Sequence, residues 1–316
     1  MTPTPLRLPG PLQARVEAMA GTLMRVEGLA VDFSAPVGAP ALAAPDSVSW
    51  RIFKNAVALF VGGVAAVLLE LAEPRVRSGV WDHTSFRTDP VTRLRRTGLA
   101  AMVTVYAPRE TAEAMIAGVN RRHARVTGTA DDGAAYAADD PDLLDWVQAT
   151  ASFGFLEGYH RFAAPLSQAD RDRFYAEAAP AARLYGALNS PMSESDLVHA
   201  FDAMAPRLQP SPVIREFLGI IRKAPALPPG MRMLQPLLVR AAVDVLPAWA
   251  QERLDLGDQG LAPWERTLVR AMGRAADRLA LETLPPAQSC LRMGLPADWL
   301  YQARDRVDWD QVVGMG

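Results

Sequence analysis

Apolar residues along the chain recur at helical spacing and never alternate for long, so the pattern predicts helices nearly throughout. Leu12 to Glu27 reads as a moderately amphipathic helix. Asp32 to Asp46 is a Pro/Gly/Ala loop that sets this N-terminal piece apart. Ser47 to Leu71 reads as one apolar helix, stopped by Pro74, and Thr84 to Pro90 as a turn-rich stretch. Val91 to Tyr106 and Arg109 to Val126 follow as helices, the second ended by Gly128. Asp132-Gly133 marks a turn. Asp140-Pro141 has the N-cap and first-position residues of a helix running towards Phe162. Ser167, Ser193 and Ser211 are the next caps, the last followed by Pro212. Gln235 to Leu246 and Pro263 to Leu281 are helices stopped by Pro247 and by Pro285-Pro286. The expected fold class is all-α, with residues 1–46 packed as a helix and loop on a helical domain of residues 47–316.

The central apolar helix imitates a membrane span. Its uncharged run, Ala56 to Leu69, is shorter than the roughly 20 residues a bilayer needs, and Glu70, Glu73 and Arg75 close it. A buried helix and no membrane span are therefore expected. Gly62 and Gly63 lower its helix propensity. Two explanations stand side by side: close packing by another helix, or close approach of a flat ligand.

Composition narrows the chemistry. The chain has 316 residues, half of them hydrophobic, with 33 Lys+Arg against 35 Asp+Glu. That is a globular composition, and near-neutral charge gives no overall attraction to nucleic acid or anionic membrane. One cysteine, Cys290, rules out an internal disulfide and any Cys-rich metal site. The N-terminus lacks the build of a secretion signal. With the lone cysteine this points to the cytoplasm, and the wealth of Ala, Arg, Asp and Pro to a bacterium of GC-rich genome.

No Gly-rich phosphate loop, zinc-protease motif or nucleophile elbow is present. Glu157 and His160 form one Glu-x-x-His; a di-iron bundle needs two, plus two further Glu. Arg93, Arg95 and Arg96, with Arg87 before and Arg121, Arg122 and Arg125 after, read as a solvated face, a nucleic-acid patch or an anion pocket. His83, His123, His160 and His199 are the only imidazoles. Met115, Val119 and His123 stand at successive i+4 positions beside Ile116 and Val126, so His123 lies on an apolar stripe. It is either a core histidine satisfied by backbone or an imidazole aimed into an apolar cavity as a metal ligand. His160, after a long apolar helix, competes for that role; His83 and His199 look like surface or cap residues.

The order of several motifs carries a resemblance. Gly62-Gly63 and Leu68-Leu69-Glu70-Leu71-Ala72-Glu73-Pro74 are followed by Gly79-Val80-Trp81-Asp82-His83-Thr84-Ser85-Phe86. Next come Asp89-Pro90, Arg93-Leu94-Arg95-Arg96-Thr97, His123 with Val126-Thr127-Gly128, and Asp140-Pro141 with Trp146-Val147. The series resembles the haem-dependent MpaB-type oxygenases, relatives of the bacterial rubber oxygenase (latex-clearing protein). The resemblance spans roughly Ser47 to Phe162 and continues more weakly through Leu237 to Leu254.

It implies a globin-like helical core holding haem b, with dioxygen as co-substrate and an oxygenase activity on an apolar or unsaturated small molecule. His123 matches the iron ligand, with His160 as runner-up, and Arg93 and Thr97 match an Arg-x-x-[Lys/Arg]-Thr motif on the haem pocket wall. Arg93 or Arg96 would pair with propionates, and Thr97 would donate to bound dioxygen. Asp82 and His83 are candidate acid–base groups at the pocket mouth. The chain departs from the pattern in three places. Arg96 replaces the rubber oxygenase's Lys, Glu73 stands where many relatives have His before the Pro, and Gln148 where many have His after Trp-Val. The missing export signal makes polyisoprene a poor substrate expectation. The alternative from another class is a non-catalytic protein binding haem or a lipid-like ligand in the same fold.

Overall fold

The structure is a computed structural model, and it describes residues 5–302. Among them are fourteen α-helices and one two-stranded hairpin, so the chain is all-α. Helix α1 covers Gly10–Met24, α2 Val48–Phe53, α3 Ala56–Glu70, α4 Pro74–His83, α5 Pro90–Tyr106 and α6 Arg109–His123. Strands β1 (Thr127–Thr129) and β2 (Ala135–Ala137) pair antiparallel around the Asp132-Gly133 turn. Then follow α7 Pro141–Phe162, α8 Gln168–Tyr185, α9 Glu194–Met204, α10 Pro212–Lys223, α11 Gln235–Val245, α12 Ala248–Arg253, α13 Pro263–Arg278 and α14 Pro285–Arg292.

The predicted caps act as expected. Asp140, Ser167, Ser193 and Ser211 each accept a hydrogen bond from a backbone N–H of their own first turn. Three proline and cap signals play a role the pattern alone did not show. The expected Ser47–Leu71 helix is two helices, because Asn55 caps α3 by accepting from Ala58 N while donating to Gly273 O at 2.9 Å. Pro74 and Pro285 do not only stop helices; each opens a new one, α4 and α14.

Helices α3 and α7 form the antiparallel spine. They cross so closely that a Cβ on Gly154 would lie 2.3 Å from Gly62 O, and one on Gly158 2.9 Å from Ala58 O. The crossing explains Gly62 as helix packing rather than ligand approach. Gly63 has room to spare, since a Cβ there would come no closer than 3.8 Å to the Phe155 ring. Helix α11 packs on α3, and α13 crosses α7 where a Cβ on Gly273 would meet Phe162 O at 2.3 Å. No single helix among the described residues is long and apolar enough to cross a membrane; α3 and α4 pass on length and composition only as a pair, bent by 113°.

The N-terminal loop is tied to this core by a buried cation. Arg292 is fully buried and donates to Phe33 O at 2.6 Å, Ala39 O at 2.9 Å and Tyr106 O at 2.7 Å. Charge-assisted bonds to three carbonyls satisfy the guanidinium that burial would otherwise penalise.

Candidate active site

Four elements supply the site: the C-terminal end of α3 with Glu70, the first turns of α5 with Arg93 to Thr97, the last turn of α6 with His123, and α7 with Thr150. Pro90 starts α5 and Asp89 caps it through Thr92 N, which fixes where Arg93 and Thr97 lie one turn apart.

Met115, Val119 and His123 form a half-buried stripe, while Ala112 and Ile116 take the buried face of α6. His123 Nδ1 is buried and has no hydrogen-bond partner. Nδ1 thus lacks the backbone partner that a satisfied core histidine would have. Burial first, then the charge of Arg93, hold this imidazole below its ordinary pKa, against a smaller pull from Asp139. It is neutral at pH 7, the form that ligates metal.

The other imidazoles are committed or exposed. His160 Nδ1 accepts from Leu166 N at 3.0 Å. His83 is exposed and its Nε2 lies 3.0 Å from the Tyr136 hydroxyl, which joins α4 to β2. His199 is exposed on α9. Asp82 is exposed, and its charge helps raise the Tyr136 pKa after burial. Among the described residues no hydrogen bond or ion pair joins Asp82 or His83 to Arg93 or His123.

Arg93 and Thr97 are bonded to each other. Arg93 Nη1 donates to Thr97 Oγ1 at 3.2 Å, and that hydroxyl donates to Arg93 O at 3.1 Å. Arg96 and Thr97 are exposed, and Arg95 has a buried Nε without a partner. The basic run thus divides: Arg87 pairs with Glu216, Arg93 is desolvated, and Arg121, Arg122 and Arg125 are solvated.

Glu70 is the residue the sequence pattern did not single out. Its carboxyl is pushed up to about 7 by burial, against the opposing pull of Arg93 and of Thr150. Arg93 stands electrostatically between Glu70 and His123, since its charge acts on both. The signal available in the sequence was an acid closing an uncharged helical run one turn before a proline. Glu73 is structural: it caps α4 through Val76 N and pairs with Arg75 at 2.9 Å and Arg207 at 3.0 Å. Gln148 donates to Ser152 Oγ at 3.0 Å within α7.

Among the described residues no group of three or more His, Cys, Asp or Glu side chains could hold a metal ion. Both carboxylate oxygens of Glu157 are taken by Arg161 and Arg171, so the Glu-x-x-His pair does not build a di-iron site. Iron at His123 would need most of its ligands from a macrocycle. The residues fit that requirement: one neutral imidazole with an orphaned nitrogen, beside a desolvated guanidinium suited to an anionic substituent.

The described residues thus form an all-helical fold in which the charge of Arg93 reaches both Glu70 and His123. The family described as "ER-bound oxygenase mpaB/B′/Rubber oxygenase, catalytic domain" matches residues 50–278, and the chain belongs to it. No curated protein and no solved structure matches the chain. The match covers every site residue named above.

Proposed function

We propose that this oxygenase-family domain binds haem b through His123 and oxidises an apolar or unsaturated organic substrate with dioxygen. The observation that carries the reading is the His123 ring: of the four imidazoles it alone has a buried nitrogen left without a partner. A polar atom buried unbonded costs roughly 1–3 kcal/mol, a cost that a bound ligand or an ordered water would relieve.

When bound, haem supplies the iron that activates dioxygen. The remaining work falls to the chain. His123, kept neutral by burial and by Arg93, presents a free lone pair. Arg93 and Arg96 offer guanidinium forks to the propionate carboxylates. Glu70, titrating near neutrality, holds or releases a proton at its carboxyl beside Arg93, an acid–base group additional to the exposed Asp82 and His83. Thr97 must turn its hydroxyl away from Arg93 O before it can donate elsewhere.

Reconstitution with haem, followed by absorption spectroscopy and pyridine-haemochrome analysis, tests the reading. A Soret band that is lost in His123→Ala is expected. No Soret band after reconstitution, or an unchanged spectrum in His123→Ala, overturns it. A haem-loaded protein that consumes no dioxygen with a panel of alkenes, phenols and aldehydes replaces the catalytic half of the reading with ligand binding alone.

A further inference from the structure

Away from the His123 group, a cavity of about 590 Å³ opens where the last turn of α7 meets α8, α11 and α13. Four guanidiniums line it: Arg161, Arg171, Arg266 and Arg270. Two carboxylates, Glu157 and Asp244, line it with them. Even with Glu194, which pairs with Arg171, cations remain in excess.

The acceptors are already used. Glu157 takes Arg171 on one oxygen at 2.6 Å and Arg161 on the other at 2.8 Å. Asp244 takes the Arg266 fork at 2.6 Å and 2.9 Å. The helix-end carbonyls are used as well: Asp244 O accepts from Arg161 at 2.7 Å, and Arg161 O from Arg270 Nε at 3.2 Å. The donors are not used up. Among the described residues Arg270 has no carboxylate partner, and both its Nη groups are unbonded. His160 accepts at Nδ1 from Leu166 N, which places the proton of the neutral ring on Nε2. Burial holds this ring below its ordinary pKa, so it stays neutral and donating at pH 7. On α13, Arg266 and Arg270 stand at i and i+4, an unfavourable like-charge spacing of which Asp244 neutralises only the Arg266 side.

We propose that this cavity is a binding site for a phosphate or phosphomonoester group, held by Arg270, the free guanidinium edges of Arg161 and Arg266, and His160 Nε2. Donors arriving from two helices suit an oxyanion with three terminal oxygens better than a carboxylate, which one fork satisfies. The cavity is larger than a phosphate ion, leaving room for a small organic group on the ester.

The test is titration of the full chain with inorganic phosphate, followed by calorimetry at an ionic strength held constant with sodium chloride. Arg270 is exposed and makes a single backbone bond, so Arg270→Glu is expected to fold. Arg15→Glu, on the exposed side of α1, makes the same charge change elsewhere. Saturable phosphate binding is expected, weakened about tenfold or more by Arg270→Glu and unchanged by Arg15→Glu, since a charge-assisted bond carries roughly that factor. Glycerol phosphate should compete. No binding beyond that seen with chloride, or equal weakening in both variants, overturns the proposal. So does sedimentation with vesicles of phosphatidylcholine and phosphatidic acid when free phosphate does not bind, because the ligand would then be a lipid surface.

Discussion

Arg93 and Thr97 hold each other across one turn of α5: the guanidinium donates to the hydroxyl at 3.2 Å, and the hydroxyl donates to the Arg93 carbonyl at 3.1 Å. The pair aligns Arg93 and keeps the Thr97 proton within its own helix. Thr97→Val keeps the shape and removes both bonds. Because the position is exposed, the thermal midpoint should change little. The haem-loaded variant should keep its Soret band and lose about tenfold or more in dioxygen-dependent turnover, the effect of one lost hydrogen bond to a charged group. Equal turnover in variant and parent would remove Thr97 from the mechanism.

Glu70 ties stability to pH. Its carboxyl titrates near 7 in the folded chain, above its ordinary value of 4.5. The folded state therefore holds the proton more tightly, and its contribution is fully present below about pH 4.5 and lost as pH rises through 7. Glu70→Gln cannot titrate. Comparing denaturant unfolding of the two proteins from pH 5 to 8, the variant should gain on the parent by about 2 kcal/mol, a figure reduced from the full shift because the residue is only half-buried. A difference that stays flat across this range would show that Glu70 is ionised throughout.

The spine crossing sets Gly154 on α7 apart from Gly63 on α3. A methyl at Gly154 would sit 2.3 Å from Gly62 O, a contact with backbone that no side-chain motion relieves. Gly154→Ala should destabilise by about 3 kcal/mol or more, in the range of an overpacked core. Gly63→Ala meets nothing closer than Phe155 at 3.8 Å and should be neutral or stabilising by up to about 1 kcal/mol from helix propensity. Urea unfolding of the two variants measures the contrast.

Arg292 is the clamp between the N-terminal loop and the core. Arg292→Met fills similar space but leaves the carbonyls of Phe33 and Ala39 without their side-chain donor and that of Tyr106 with Ser289 Oγ alone. A loss of about 3–5 kcal/mol is expected, as for the removal of one member of a buried charged network. Limited proteolysis should then cut first between Asp32 and Asp46. Cleavage at the parent's rate would show that the loop is held by other contacts.

Much of this architecture can be read along the chain. The caps at Asp140, Ser167, Ser193 and Ser211 were legible because capping is local: a side-chain oxygen and an N–H two or three residues away need no tertiary partner. Two other signals were ambiguous. Pro74 and Pro285 each end one segment and suit the first position of another, so stop and start look alike without the next helix in view. Asn55 was hidden for a related reason, since its break in the long apolar run is secured by Gly273 O, a backbone atom far along the chain. His123 entered as a candidate through its stripe, and Arg93 with Thr97 through their spacing and motif. Glu70 did not, because a helical acid turns into a near-neutral titrating group only when other helices remove its water.

The chain by itself determined the all-helical class and the family, and it offered His123 as the candidate imidazole, because periodicity, capping and motif order are properties of neighbours in sequence. Only the tertiary structure decided which glycine is a helix crossing, which arginines are spent on carboxylates, and which nitrogen is buried without a partner. Those depend on which surfaces meet, and close packing, ion pairing and desolvation all act between residues far apart in the sequence.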